Sequence, residues 1–258
     1  MNAQQLPFKR LTKNTAEMQT ISAFIYGFSG AGKTYLARTA LENPNTAPIL
    51  VLMCDNGELT LNDLMDSPDL DVVRITSMGS FNNVFRYLAN TKICRYKTVF
   101  IDNLTELQRK VLMTHAADNK QPDGVITQQD YGVTRNLILN LVSKFALNLR
   151  HLNVVFTSLA HNLQEEATGY QYVTPDLAGK LAFEVPGYCD IVGFLEVKTP
   201  RRRSKQPNKP HRILTVSQTT RCPTARNRGG FLPDEVIEPT IPLLLGFRTP
   251  SAQSKETA

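Results

Sequence analysis

Gly27-Phe28-Ser29-Gly30-Ala31-Gly32-Lys33-Thr34 is the stretch that decides the fold. It meets the phosphate-loop pattern G-x-x-x-x-G-K-[ST] at every fixed position. With Gly near ~7% of residues, those four fixed positions coincide by chance in roughly one chain in a hundred of this length. The apolar run Ile21 to Tyr26 leads into the loop and reads as a buried strand. Tyr35 to Leu41 follows without Gly or Pro and reads as a helix stopped before Pro44. In that strand–loop–helix setting the glycines let backbone N–H groups turn inward on a phosphate. The helix start adds a favourable dipole for the same anion. Gly27 to Tyr35 are therefore the nucleotide-binding candidates. Lys33 is assigned to the β- and γ-phosphates of ATP, and the Thr34 hydroxyl to Mg²⁺.

Outward from the loop, four more apolar runs read as strands: Ile49 to Cys54, Asp71 to Ile75, Thr98 to Ile101, and Asn153 to Ser158. Helical spacing appears after Ser80, from Leu104 to about Ala117, and from Leu137 to Leu149. Strands alternating with helices predict a mostly parallel sheet with helices on both faces. Residues 159–187 are polar and broken by Gly and Pro, and read as irregular. Cys189 to Lys198 and Arg212 to Gln218 read as two antiparallel strands, a C-terminal hairpin extension on an α/β core.

Lys97-Thr98-Val99-Phe100-Ile101-Asp102 is an apolar strand ending in an acid. Behind a phosphate loop this is the Walker B form, and Asp102 is assigned to Mg²⁺ together with Thr34. Asn103 follows where some ATPases carry Glu, so a carboxylate that activates water must come from elsewhere. Asp55-Asn56-Gly57-Glu58 supplies two candidates, Glu58 preferred and Asp55 second; a solvated turn with a helix cap reads the same residues equally well. Ser158 and His161, after the fifth strand, are candidate γ-phosphate sensors.

The chain has 258 residues and a net charge of +6. Ten Lys or Arg and no acid lie between Lys198 and Arg228; without them 19 basic residues face 23 acidic ones. Basicity is local, as on a polyanion-binding surface. Arg201, Arg202, Arg203, Lys205, Lys209 and Arg212 are the DNA-binding candidates, although a solvated loop suits Pro200, Pro207 and Pro210 as well. The four cysteines are scattered without a C-x-x-C pair, which points to neither zinc nor a disulfide framework. No apolar run reaches the ~18 residues of a membrane span, and Met1 to Pro7 lack a signal-peptide core. The expectation is a cytoplasmic protein: a lead-in at 1–20, one ATPase domain at 21–247 containing a basic finger at 198–228, and a disordered tail at 248–258.

Taken in order, the phosphate loop, the Asp55–Glu58 turn, Ile101 to Leu107, Asp130-Tyr131-Gly132 and Thr157 to His161 resemble phage nucleotide-binding proteins of the RecA-like ATPase superfamily. That family includes single-strand-annealing recombination ATPases. The resemblance implies a RecA-like core, a ring or filament of identical subunits, single-stranded DNA as partner, and DNA-stimulated ATP hydrolysis. A single-stranded-DNA-binding protein is a further implied partner. Thr224-Ala225-Arg226-Asn227-Arg228-Gly229-Gly230 is similar to the Lys-x-Arg-x-Gly segment of such ATPases. By that likeness Arg226 and Arg228 act on the neighbouring subunit's nucleotide. Relatives hold DNA with loops that correspond here to 118–132 and 159–187, where Tyr131, Tyr170 and Tyr172 could offer stacking faces. The alternative is an ATP-binding regulatory module that docks on a replication protein with little turnover.

Overall fold

The computed structural model describes residues 20–118, 125–199 and 210–247. The first strand, β1 (Ser22–Gly27), is buried along its whole length and runs straight into the phosphate loop. Helix α1 (Lys33–Thr39) starts at once, with Gly32 as its N-cap, and a short 3-10 turn extends it to Glu42. The chain then alternates as the apolar runs predict: β2 (Ile49–Met53), β3 (Leu70–Arg74), α2 (Met78–Ala89), β4 (Thr98–Asp102) and α3 (Leu104–Asp118). Next come α4 (Gln128–Asn148), β5 (Asn153–Gln164), β6 (Gln171–Pro175), α5 (Leu181–Gly187) and β7 (Ile191–Lys198). The C-terminal part holds β8 (His211–Thr215), the two-residue β9 (Arg226–Asn227), β10 (Glu235–Ile237) and the short α6 (Ile241–Leu244).

The main sheet runs β10-β8-β7-β1-β5-β4-β2-β3. From β7 across to β3 all neighbours are parallel. Along this path the antiparallel pairs are β7 with β8 and β8 with β10, as the hairpin extension requires. Strand alternation divides the core between the two faces. Phe24, Tyr26, Ile101, Phe156 and Phe194 face α2, α3, α4 and α5. Ile25, Val51, Met53, Phe100 and Leu195 face α1 and α6. Both faces are buried, which is why the strands read as continuous apolar runs.

Three local readings change. Helix α4 begins at Gln128, nine residues before Leu137, because Thr127 and Asp130 form a reciprocal capping box. Helix α2 is capped by Ser77, which accepts from the Ser80 N–H at 3.3 Å. Residues 159–187 are not irregular throughout: β5 continues to Gln164 and returns through β6 as an antiparallel hairpin, before α5. The lead-in apart from Thr20, the tail at 248–258, and Arg201, Arg202, Arg203, Lys205 and Lys209 lie outside the described residues. No helix among the described residues is long and apolar enough to cross a membrane.

Candidate active site

Parallel strands deliver their carboxyl ends to one rim, and where the strand order reverses that rim is where ligands of open α/β sheets sit. Gly27 closes β1 beside Leu195 of β7. A Cβ on Gly27 would stand 2.4 Å from the Leu195 carbonyl oxygen, so only glycine permits this approach. Gly30 and Gly32 hold φ of 79° and 95°, the left-handed region that other residues enter at a cost. The loop wraps Lys33, whose Nζ donates to the carbonyls of Gly27 at 2.7 Å and Phe28 at 2.9 Å. Burial lowers the Lys33 pKa below its ordinary value, against the pull of the Asp102 and Asp55 charges.

Asp102 ends β4 and is 1% exposed. Its carboxylate accepts from the Thr34 hydroxyl at 2.5 Å and from the Thr157 hydroxyl within β5. Burial pushes the Asp102 pKa upward, and the two hydroxyl bonds only partly oppose that. Asn103, the next residue, ties Asp102 to the neighbouring turn. Its Nδ2 donates to Asp55 at 2.7 Å, while its Oδ1 accepts from the Glu106 N–H at the start of α3. The Gly57 N–H fixes the other Asp55 oxygen at 2.9 Å.

These groups surround a cavity of about 360 Å³, lined by the phosphate loop, Thr34, Asp55, Thr60, Asp102, Asn103, Leu159 and Arg212. A hydroxyl and a carboxylate at hydrogen-bond distance form the hard oxygen set that Mg²⁺ takes alongside substrate phosphates. Among the described residues no cluster of three His, Cys, Asp or Glu could hold a metal by itself. A larger cavity, about 610 Å³, lies beside Thr224, Arg226 and Asp234. It has a carboxylate–hydroxyl pair, Asp234 with Ser217, but neither a phosphate loop nor a lysine among its lining residues, so the phosphate-binding features belong to the smaller one.

The sequence candidates are distributed unevenly. Lys33, Thr34, Asp55 and Asp102 converge on the phosphate-loop cavity. Glu58 does not line it: a 3-10 helix over Gly57–Leu64 turns its carboxylate into an ion pair with Arg74 of β3. Ser158 is buried and donates to the Leu159 carbonyl at 3.0 Å, while His161 is exposed where β5 leaves the sheet. Tyr131 is exposed on α4, and the Tyr170 hydroxyl lies 2.7 Å from that of Thr220.

Arg226 and Arg228 lie at the opposite rim. β9 pairs with the start of β7, Val192 with Arg226. Arg226 donates to the carbonyls of Pro186 and Cys189; burial, then the Arg228 charge, lowers its pKa. Arg228 pairs with Asp190 at 3.4 Å and is the more exposed of the two. Through the strand registers Arg226 stands level with Phe24, three residues before Gly27 or roughly 10 Å at strand rise, and both side chains are bonded at this rim, to Pro186, Cys189 and Asp190, away from the phosphate loop.

Arg212, read from sequence as part of the basic surface, is placed on the wall of the phosphate-loop cavity. β8 runs antiparallel to β7, which returns its first residues to the carboxyl-end rim. Sequence reasoning also passed over Thr157 and Asn103. Their only signal was polarity where apolar runs stop, Thr157 after Val154 to Phe156 and Asn103 after Asp102.

With this geometry in place, residues 19–228 match a protein family described as AAA domain. No curated protein matches the chain.

Proposed function

The chain belongs to that AAA domain family, and from this premise we propose that it is a Mg²⁺-dependent ATPase that works on single-stranded DNA. The family is one of P-loop ATPases, which bind and hydrolyse nucleotide. One observation carries the assignment of the reaction: Lys33, Thr34, Asp102 and Asp55 meet around a single cavity, with Thr34 hydrogen-bonded to Asp102 and Asn103 to Asp55. Bound MgATP supplies the phosphoanhydride bond and the cation that neutralises its charge.

The protein's part follows from its own groups. Lys33 exchanges its two loop carbonyls for phosphate oxygens, which return to its ammonium the favourable partner that burial withholds. Thr34 and Asp102 hold the metal, and Thr157 keeps the Asp102 carboxylate aimed at it. Asp55 acts as the base that orients water, with Asn103 and the Gly57 N–H fixing its angle. Glu58 supports the turn through Arg74 rather than touching the reaction.

The DNA reading rests on the ten cations between 198 and 228, the exposed Tyr131 and Tyr170, and the resemblance to phage annealing ATPases. In this reading the subunits form a ring or filament in phage recombination, annealing or replication. Arg228, and less freely Arg226, then reaches a neighbour's nucleotide. The test is ATP turnover with and without single-stranded DNA, using Lys33→Ala as the blank. DNA stimulation that the blank lacks supports the reading. Turnover equal to the blank in both conditions overturns it. That second outcome favours an ATP-binding regulatory module.

A further inference from the structure

The phosphate-loop cavity has two unlike walls. Asp102 and Asp55 come from β4 and β2, on one side of β1 in the sheet. Arg212 comes from β8, on the other side, beyond β7. Metal and terminal phosphate belong with the carboxylates. The nucleoside end of a bound nucleotide must therefore leave toward Tyr35 and Arg212.

What stands there is a braced plane. The Arg212 guanidinium carbon lies 4.4 Å from the centroid of the Tyr35 ring. Its stem rests against the loop, since a Cβ on Gly32 would meet Arg212 Nε at 2.5 Å. Glu238 holds it from behind: its Oε2 lies 3.6 Å from Nη1, and its Oε1 accepts the Arg212 backbone N–H at 3.0 Å. Arg38 lies 5.6 Å from the same Tyr35 ring and is locked by two bonds to Asp63, at 2.5 and 2.6 Å. Tyr35 is thus a support packed by two guanidiniums. Arg212 is partly exposed and lines the cavity, while the neighbouring Glu238 offsets its charge. A positioned, partly neutralised guanidinium plane suits stacking on an aromatic base better than it suits charge pairing with phosphate.

We propose that Arg212, braced by Tyr35 and Glu238, is the platform on which the adenine base of ATP stacks. This rests on the ATP reading above and adds the subsite for the base. The test is isothermal titration of the full chain, in Mg²⁺, with ATP and separately with inorganic tripolyphosphate. Arg212→Lys keeps the charge and removes the plane. It weakens ATP about tenfold and leaves tripolyphosphate unchanged. Tyr35→Leu, which removes the brace, weakens ATP several-fold with the same selectivity, and carries the test if the lysine variant does not fold. Wild-type ATP affinity in Arg212→Lys overturns the proposal. So does an equal loss toward tripolyphosphate, which would make the guanidinium a phosphate ligand. Wild-type protein that binds neither probe would instead sink the ATP reading itself.

Discussion

Asp102→Asn separates the two demands made on the acid at the end of β4. Asp102 is 1% exposed, and burial raises its pKa above the ordinary 3.8. An acid with a raised folded-state pKa holds its proton more tightly in the native protein than in the unfolded chain. Its contribution to stability is therefore full below the unfolded value and is lost as pH rises through the folded one. At neutral pH the ionised carboxylate is a cost that Lys33 only partly offsets. An amide of the same shape keeps acceptor and donor roles toward the Thr34 and Thr157 hydroxyls, which can rotate to suit. Removing the buried charge stabilises the ligand-free protein by about 1–2 kcal/mol. In a chain of this size that raises Tm by roughly 2–6 °C. The assay is thermal unfolding in chelator between pH 4 and 8, repeated in MgATP. The variant melts above wild type at pH 8, and the gap narrows toward pH 4. With MgATP at about 100 Kd the wild type gains about 2.7 kcal/mol and overtakes a variant that no longer holds the metal. A variant that melts below wild type in chelator at pH 8, or a gap that widens as pH falls, refutes the reasoning.

Two contrasts follow from the same geometry. Asp55→Asn lowers kcat about 100-fold or more with little change in ATP affinity, whereas Glu58→Gln loses only its pair with Arg74 and stays near wild type in steady-state assays. The reverse order would return the base to Glu58. Gly27→Ala costs about 1–3 kcal/mol in urea unfolding, because its Cβ would press on the Leu195 carbonyl of β7. Gly30→Ala meets no atom within 4 Å and costs about 1–2 kcal/mol, set by its φ of 79° alone. Only the first should also disturb the pairing of β1 with β7, read as faster amide exchange along Phe24 to Gly27.

The central strands and the phosphate loop were legible because a strand covered on both faces has to be apolar throughout. A loop that turns its N–H groups inward has to spend glycines. Asp102 was legible for a related reason: an acid closing an apolar strand stands out. Helix α4 was misjudged at its start, since Gln128 and Gln129 add no apolar spacing and Gly132 is a poor helix former. The information lay in Thr127 and Asp130, three apart, whose reciprocal bonds begin the helix before any apolar spacing appears. The β5–β6 hairpin was hidden because the outer end of β5 is largely exposed and β6 buries only its last three residues. So short a buried stretch imposes no readable alternation, and strand pairing defines the hairpin. Glu58 and Asp55 could not be separated by spacing. The 3-10 helix from Gly57 decides which of them faces the loop.

Arg212 shows most clearly where sequence reading stops. In the chain it stands among cations and reads as part of a surface. Its direction is fixed by a fact far from it, that β8 returns antiparallel along β7 and places Val197 opposite Arg212. β7 itself is held to β1 in the register that sets Leu195 beside Gly27. The arginine and the phosphate loop are therefore ends of one hydrogen-bonded ladder. A one-residue slip of β8 would turn its side chain to the other face of the sheet. The same ladder puts Arg226 and Arg228 at the far end of β7, where their side chains bond Pro186, Cys189 and Asp190. Three arginines of one charged stretch thus acquire opposite places, Arg212 at the phosphate-loop cavity and Arg226 and Arg228 away from it, through strand direction and register.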